Sequence, residues 1–345
     1  MGLSPFMVKL CFVNLARWSI GVWPIYGHRW AVELLARSVE TKRLNHAYLF
    51  VGPAQIGKRT LAKTFTQGIL CSAERTPCGE CRACRLVDAD RHPDVHIVDP
   101  DKGSIRIEAI RNMQHAVALS PVEGRYRVCV ISQFDCATPS AANALLKTLE
   151  EPPSTVILLL TANRAESLLP TIVSRCQVFG LRPLSRAQIV AALQSRGLGE
   201  NQARMLGHLA QGRIGWALMA AQDERVLEQR NHVLESIVAA AHGSYTERFA
   251  WVEGLIKRPD QVPDILDTLT SWWRDVLLLT SSSTTPITNV DQETVLVEWA
   301  VRHDVDTAQR ALRAIRDTAW RLERNANLRL ALEVLMLDLP SSAWN

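Results

Sequence analysis

At 345 residues the chain is too long for one ordinary domain, and two or three are expected. Hydrophobic residues make up 47% and charged residues 21%, an ordinary globular balance. The net charge of +4, without a dense Lys/Arg block, permits nucleic-acid contact but does not argue for it; eight unevenly placed Cys exclude a secreted disulfide scaffold and suit a cytosolic protein with one metal site.

Residues 1–22, MGLSPFMVKLCFVNLARWSIGV, carry an apolar stretch broken by Asn14, Arg17 and Ser19. That is too interrupted to cross a membrane, and it lacks the apolar core and cleavage site of a signal peptide. It is expected to be an extension outside the fold, of the kind an upstream start codon adds. No other segment reaches transmembrane length.

Over 23–181, strand and helix signals alternate. AVELLARSVE (31–40) has helical spacing. AYLFVG (47–52) is a short buried strand ending in Gly, and KRTLAKTFTQGIL (58–70) the helix after it. DVHIVDP (94–100), YRVCVIS (126–132), TVILLLTA (155–162) and CQVFGL (176–181) read as further strands. The helices between them are IRIEAIRNMQHAVAL (105–119), with Ile110, Met113 and Val117 on one face, and SAANALLKTLEE (140–151), closed by Pro152 and Pro153. Strands separated by helices imply an α/β domain with a parallel sheet covered on both faces. After Pro183 only helices are expected. A small helical domain spans 182–225, opening with a Ser185 cap, and a larger one spans 226–345, with a polar break at SSSTTPITN (281–289).

Cys71, Cys78, Cys81 and Cys84 are spaced C-x₆-C-x₂-C-x₂-C, with Gly79 available for a tight turn. Four closely spaced thiolates can converge on one tetrahedral Zn²⁺ and leave no open position, so the site would be structural. Reduced loop thiols, a transient disulfide or an iron–sulfur cluster are the alternatives.

The stretch GPAQIGKRT (52–60) nearly matches a phosphate-binding loop in its required strand–loop–helix context. Gly52, Gly57 and Lys58 fit, and such a loop can cradle phosphates. The next position should carry a Mg²⁺-holding hydroxyl but is Arg59, and Thr60 points elsewhere on the helix. An acidic pair should end a neighbouring strand to hold Mg²⁺ and orient water. The strand RVCVIS instead ends in Ser132 and Gln133, with Asp135 three positions past Ser132. Two missing metal-handling elements favour a non-hydrolysing member of an ATPase fold.

HAYLFVGPAQIGK, PCGECRAC, HPDV, SAANALLKTLEEPP and TIVSRCQVF together resemble the bacterial clamp-loader subunits of DNA polymerase III, of the AAA+ class. The similarity runs over about 23–181 and continues more weakly to ERNANLRLALEVLMLDLP. It implies an AAA+ parallel-sheet domain with a zinc module at 71–84, then a helical lid and a helical collar that holds subunits in a ring. Motor subunits (gamma/tau) of the family have an intact loop, an acidic strand end and a lid arginine. Here the lid motif reads GRIGWAL, with Gly215 at the arginine position, so the resemblance is to the delta-prime type.

In this family the Ser-Arg-Cys motif, here Ser174, Arg175 and Cys176, sends its arginine into the ATP site of an adjacent motor subunit. Arg175 is thereby expected to be an arginine finger in trans; without the resemblance it is a surface cation before a strand. The partners implied are gamma/tau and delta subunits, and the sliding clamp and primed DNA through the complex. A cytoplasmic location is implied, and ATP or ADP held without hydrolysis is left open. The rival readings are an active gamma/tau-like motor with a diverged metal site and a zinc-dependent DNA-binding module. Leu328, Leu330, Leu332, Leu335 and Leu337 suit either an oligomerisation platform or an internal core, and Trp272 and Trp273 are expected in the core.

Overall fold

Five short apolar segments pair side by side in the computed structural model, which describes residues 23–324 and 326–340. The extension expected over 1–22 lies outside the described residues. The strands are β1 (Ala47–Val51), β2 (Val95–Val98), β3 (Arg127–Ile131), β4 (Val156–Ala162) and β5 (Gln177–Gly180), in the order β2-β3-β4-β1-β5. All pairs are parallel, with Leu49 opposite Leu160 on one side and Val178 on the other. Position in the sheet sets burial: all seven residues of β4 are buried, whereas β5, at an edge, buries only Phe179.

The intervening helices are α1 (Arg29–Glu40), α2 (Lys58–Leu70), α3 (Arg82–Asp88), α4 (Ile107–Val117), α5 (Pro139–Glu150) and α6 (Pro170–Val173). Ile110, Met113 and Val117 of α4 join Leu145 and Leu149 of α5 in the core against β1, β3 and β4. Thr138 caps α5 by accepting from the Ala141 N–H, and Pro139 supplies a first helical residue with no N–H to satisfy. Because every strand runs the same way, Gly52, Ser132 and Asn163 follow the ends of β1, β3 and β4 at one edge of the sheet. The α/β architecture is the one expected from the alternation of strands and helices; α3 and α6, both short, were not anticipated.

The chain forms two compact units. The first runs to Gly52 and resumes over Lys58–Leu181; the second comprises Pro53–Gly57 and Arg182 onward. The second is helical, with α7 (Arg186–Gln194), α8 (Glu200–Leu209), α9 (Ile214–Gln222), α10 (Arg225–His242), α11 (Tyr245–Ile256), α12 (Val262–Thr280), α13 (Glu293–Arg302), α14 (Val305–Glu323) and α15 (Leu328–Asp338). Ser185 opens α7 in a capping box with Gln188, and Ser244 opens α11 in one with Glu247.

Trp272 and Trp273 lie in the core, edge-on to Trp299 at 5.7 and 5.4 Å. The polar break after α12 is held from inside. Buried Asp275 accepts from the N–H groups of Thr288 and Asn289 and from the Asn289 amide, at 2.7–3.0 Å. The leucines of α15 divide: Leu332 and Leu335 are core, while Leu330 and Leu337 are 60% and 53% exposed.

Candidate functional site

The four cysteines converge. Their sulfurs all lie within 4.8 Å of one another, with Cys71–Cys78 at 3.6 Å, Cys71–Cys81 at 3.8 Å and Cys78–Cys84 at 4.0 Å. These distances are too long for a disulfide, which needs about 2.05 Å. They match the ~3.8 Å edge of a tetrahedron with metal–sulfur bonds of ~2.3 Å, so the donor set fits a four-coordinate metal ion. Local structure prepares the thiolates. The Cys81 N–H points at the Cys78 sulfur (3.3 Å) and the Cys84 N–H at the Cys81 sulfur (3.4 Å), with Cys81 serving as the N-cap of α3. The N–H groups of Cys81 and Glu80 pull the Cys78 thiol down to about 6. Burial pushes Cys84 the other way, a cost that a coordinated cation would reverse.

The phosphate-loop residues are shaped by close approaches. Gly52 has φ 155°, and a Cβ there would lie 2.6 Å from the Leu181 carbonyl oxygen, so no larger residue fits. Lys58, the first residue of α2, is buried and already bonded. Its ammonium donates to the Gly52 carbonyl and, at 2.8 Å, to Asn163 Oδ1. Burial pulls it down to about 8, against the opposing influence of Asp135. Arg59, at the expected hydroxyl position, pairs outward with Asp99 at 3.0 Å. Thr60 is exposed, beside Lys63, Thr64 and Gly79.

At the end of β3, Ser132 is buried and its hydroxyl has no partner among the described residues. Gln133 turns away from strand geometry with φ 49°. Asp135 is better placed than its separation from Ser132 suggests. The chain folds back after Gln133, so that Asp135 Oδ2 accepts from the Asn163 N–H at 3.3 Å and the carboxylate acts on Lys58. Sequence reasoning missed Asn163 altogether. Its position one residue past a fully buried strand was the available signal.

The loop's middle, Pro53–Gly57, belongs to the second unit. There the Gly215 N–H, at the start of α9, donates to the Gln55 carbonyl at 2.7 Å.

Arg175 follows α6. It is 35% exposed and donates through Nη1 to the Thr171 carbonyl and through Nη2 to Glu150 Oε1, both at 2.9 Å. Ser174 Oγ bonds the same Thr171 carbonyl at 3.1 Å. Cys176 turns inward, and burial pushes its thiol up to about 12, so it is a packing residue rather than a nucleophile.

The family model described as "DNA polymerase III, delta subunit" matches residues 27–185, and "DNA polymerase III, delta subunit, C terminal" matches 224–340. The DNA polymerase III subunit delta' of Bacillus subtilis is 28% identical over 89% of this chain and 94% of its own length. That of Pseudomonas aeruginosa is 37% identical over 56% of this chain and 60% of its own. The DNA polymerase III subunit tau/gamma of Haemophilus influenzae is 36% identical over 48% of this chain and 24% of its own. With both units matched by models of one family and relatives named delta' aligned over up to nine-tenths of its length, the chain belongs to the DNA polymerase III delta' family.

Proposed function

We propose that this chain serves DNA replication as the delta' subunit of the clamp loader, hydrolysing no ATP itself and supplying Arg175 to the ATP site of a neighbouring gamma/tau motor. The observation that carries the reading is the state of Lys58. The lysine of the loop is bonded to Gly52 and Asn163, and neither Arg59 nor Ser132 offers what Mg²⁺ needs. If ATP or ADP is held, Gly52, Gly57 and Lys58 are the groups that would hold it.

Arg175 offers the complementary half of the chemistry. It is a planar cation on an exposed segment, suited to stabilising charge on a transferring phosphoryl group in a partner. The four cysteines would hold a structural Zn²⁺, which fixes the loop between α2 and α3 and takes no part in the reaction. The helices of 226–345 would form the collar that joins this chain to the gamma/tau and delta subunits, with clamp and primed DNA engaged through the complex. The exposed Leu330 and Leu337 suit that role. The chain works in the cytoplasm; among the described residues no helix is long and apolar enough to cross a membrane.

The test combines the purified chain with motor and delta subunits, clamp and primed DNA. The isolated chain should show background ATPase, and Arg175→Ala should lower turnover of the complex without dissociating it. A missing finger costs about 10³–10⁵ at one site, diluted in bulk by sites with other arginines. ATP hydrolysis by the isolated chain that disappears in Lys58→Ala would instead show an active motor.

A further inference from the structure

Arg175 is held from a second helix, and the holder stands where a carboxylate is disfavoured. Glu150 is the last residue of α5. A helix C-terminus carries partial negative charge, which opposes an acid there. Glu151 follows at the C-cap, and Pro152 and Pro153 then stop the helix, so two acids share the unfavourable end. The guanidinium of Arg175 is the cation that meets Glu150, at 2.9 Å.

Stability does not explain the pair. Both side chains are substantially exposed, 35% and 51%, and solvent-screened pairs of this kind contribute little to stability. Geometry explains it better. One N–H of Nη1 goes to the Thr171 carbonyl on α6 and one N–H of Nη2 to Glu150 on α5, so two elements fix the guanidinium plane. A guanidinium has five N–H donors, and among the described residues the other three have no hydrogen-bond partner, so they can serve another ligand. Glu150 therefore need not release Arg175 for it to contact an anion. A free arginine has much rotamer freedom to lose on binding, and this anchoring removes a large part of it before any partner arrives.

We propose that Glu150 is a positioning residue: it holds the Arg175 guanidinium in the orientation in which its remaining N–H groups meet the phosphoryl group bound by a neighbouring ATP-binding subunit. The proposal rests on the reading of Arg175 as a finger in trans, and the test separates the two.

The experiment uses the reconstituted loader with clamp and primed DNA, measuring kcat and KM for ATP and the rate of clamp loading. It compares wild type, Arg175→Ala, Glu150→Gln, Glu150→Asp and the double variant Glu150→Gln/Arg175→Ala. Glu150→Gln should lower kcat and loading by about three- to tenfold at the affected step, the scale of a sub-ångström misplacement, with KM for ATP unchanged. Glu150→Asp keeps the charge and should recover part of the loss. In the Arg175→Ala background, Glu150→Gln should cause no further loss. Thermal unfolding and complex mass should match wild type throughout. If Arg175→Ala itself leaves turnover and loading unchanged, the finger reading fails and this inference with it. If Arg175→Ala lowers them while Glu150→Gln behaves as wild type, the finger stands and the positioning role is overturned. Equal losses from Glu150→Gln with and without Arg175 would also overturn it, because Glu150 would then act through another group.

Discussion

The backbone N–H of Gly215 donates to the carbonyl of Gln55 at 2.7 Å, and a Cβ on residue 215 would stand 2.7 Å from that same oxygen. The glycine is thus more than an arginine position left empty. It permits a backbone contact between α9 and the middle of the phosphate loop that no side-chain-bearing residue could keep. Gln55 itself sits at φ 59°, an uncommon conformation for a residue with a Cβ, and this bond helps to hold it.

Gly215→Ala should therefore destabilise the second unit, although alanine is the better helix former. Overpacking of this kind costs about 1–3 kcal/mol, against roughly 1 kcal/mol gained in helix propensity. Thermal unfolding should show a midpoint lower by a few degrees, at about 2–4 °C per kcal/mol. A midpoint at or above that of wild type would show that the Gln55 loop yields freely to a methyl group.

The metal prediction is stoichiometric. Reduced protein prepared without chelator should carry about one Zn²⁺ per chain, since four thiolates complete one tetrahedral site. Cys81→Ser should lose metal and, through that loss alone, loosen the start of α3, because a serine hydroxyl can still accept from the Cys84 N–H and cap the helix. Elemental analysis and amide exchange over 71–88 would read the two effects separately. Metal-free wild-type protein with reduced thiols would sink the assignment.

Lys58 gives a pH signature. Its folded-state pKa is about 8, whereas an unfolded lysine titrates near ~10.4. Between those values the unfolded chain binds the proton that the folded chain has released, so stability rises with pH. Below about 8 both states are protonated and the full burial penalty is present. Lys58→Met removes the titrating group. Wild type should gain on this variant between about pH 8 and 10.4, by at most about 1.4 kcal/mol per unit. Denaturant midpoints measured across that window should diverge in this direction; parallel curves would mean that Lys58 is solvated.

Asp94 titrates with the opposite sign. Burial opposes its charge, but the N–H groups of Val122, Glu123 and Gly124, at 2.5, 2.8 and 2.7 Å, outweigh burial and hold its carboxyl below the usual aspartate range. The stability it contributes is present above about pH 3.9, the unfolded value, and is lost as pH falls through the lower folded value. Asp94→Ala should cost about 2–4 kcal/mol at neutral pH, because it strands three donors. The deficit should shrink under acid. An unchanged urea midpoint in Asp94→Ala at pH 7 would show that the loop over 120–126 is held by other contacts.

Much of this was legible in the sequence because it depends on local chemistry. Buried strands read as apolar runs, Ser185 announced α7, and four cysteines within fourteen positions announced a cluster that could hold a metal ion. The missing hydroxyl at Arg59 and the missing acid at Ser132 were likewise visible, since a motif is defined by residue type and spacing. The tertiary structure decided what spacing cannot encode. Asp135 looked too far from the strand end, yet the turn at Gln133 brings its carboxylate to Asn163 and within influence of Lys58. The α15 leucines looked equivalent, and only packing separates the buried Leu332 and Leu335 from the exposed Leu330 and Leu337. Glu150 and Arg175 are 25 residues apart, and Gln55 and Gly215 are 160. No periodicity links such residues; their contacts exist because hydrophobic burial fixes the helices and turns that carry them, and the polar groups left at those junctions must then satisfy one another.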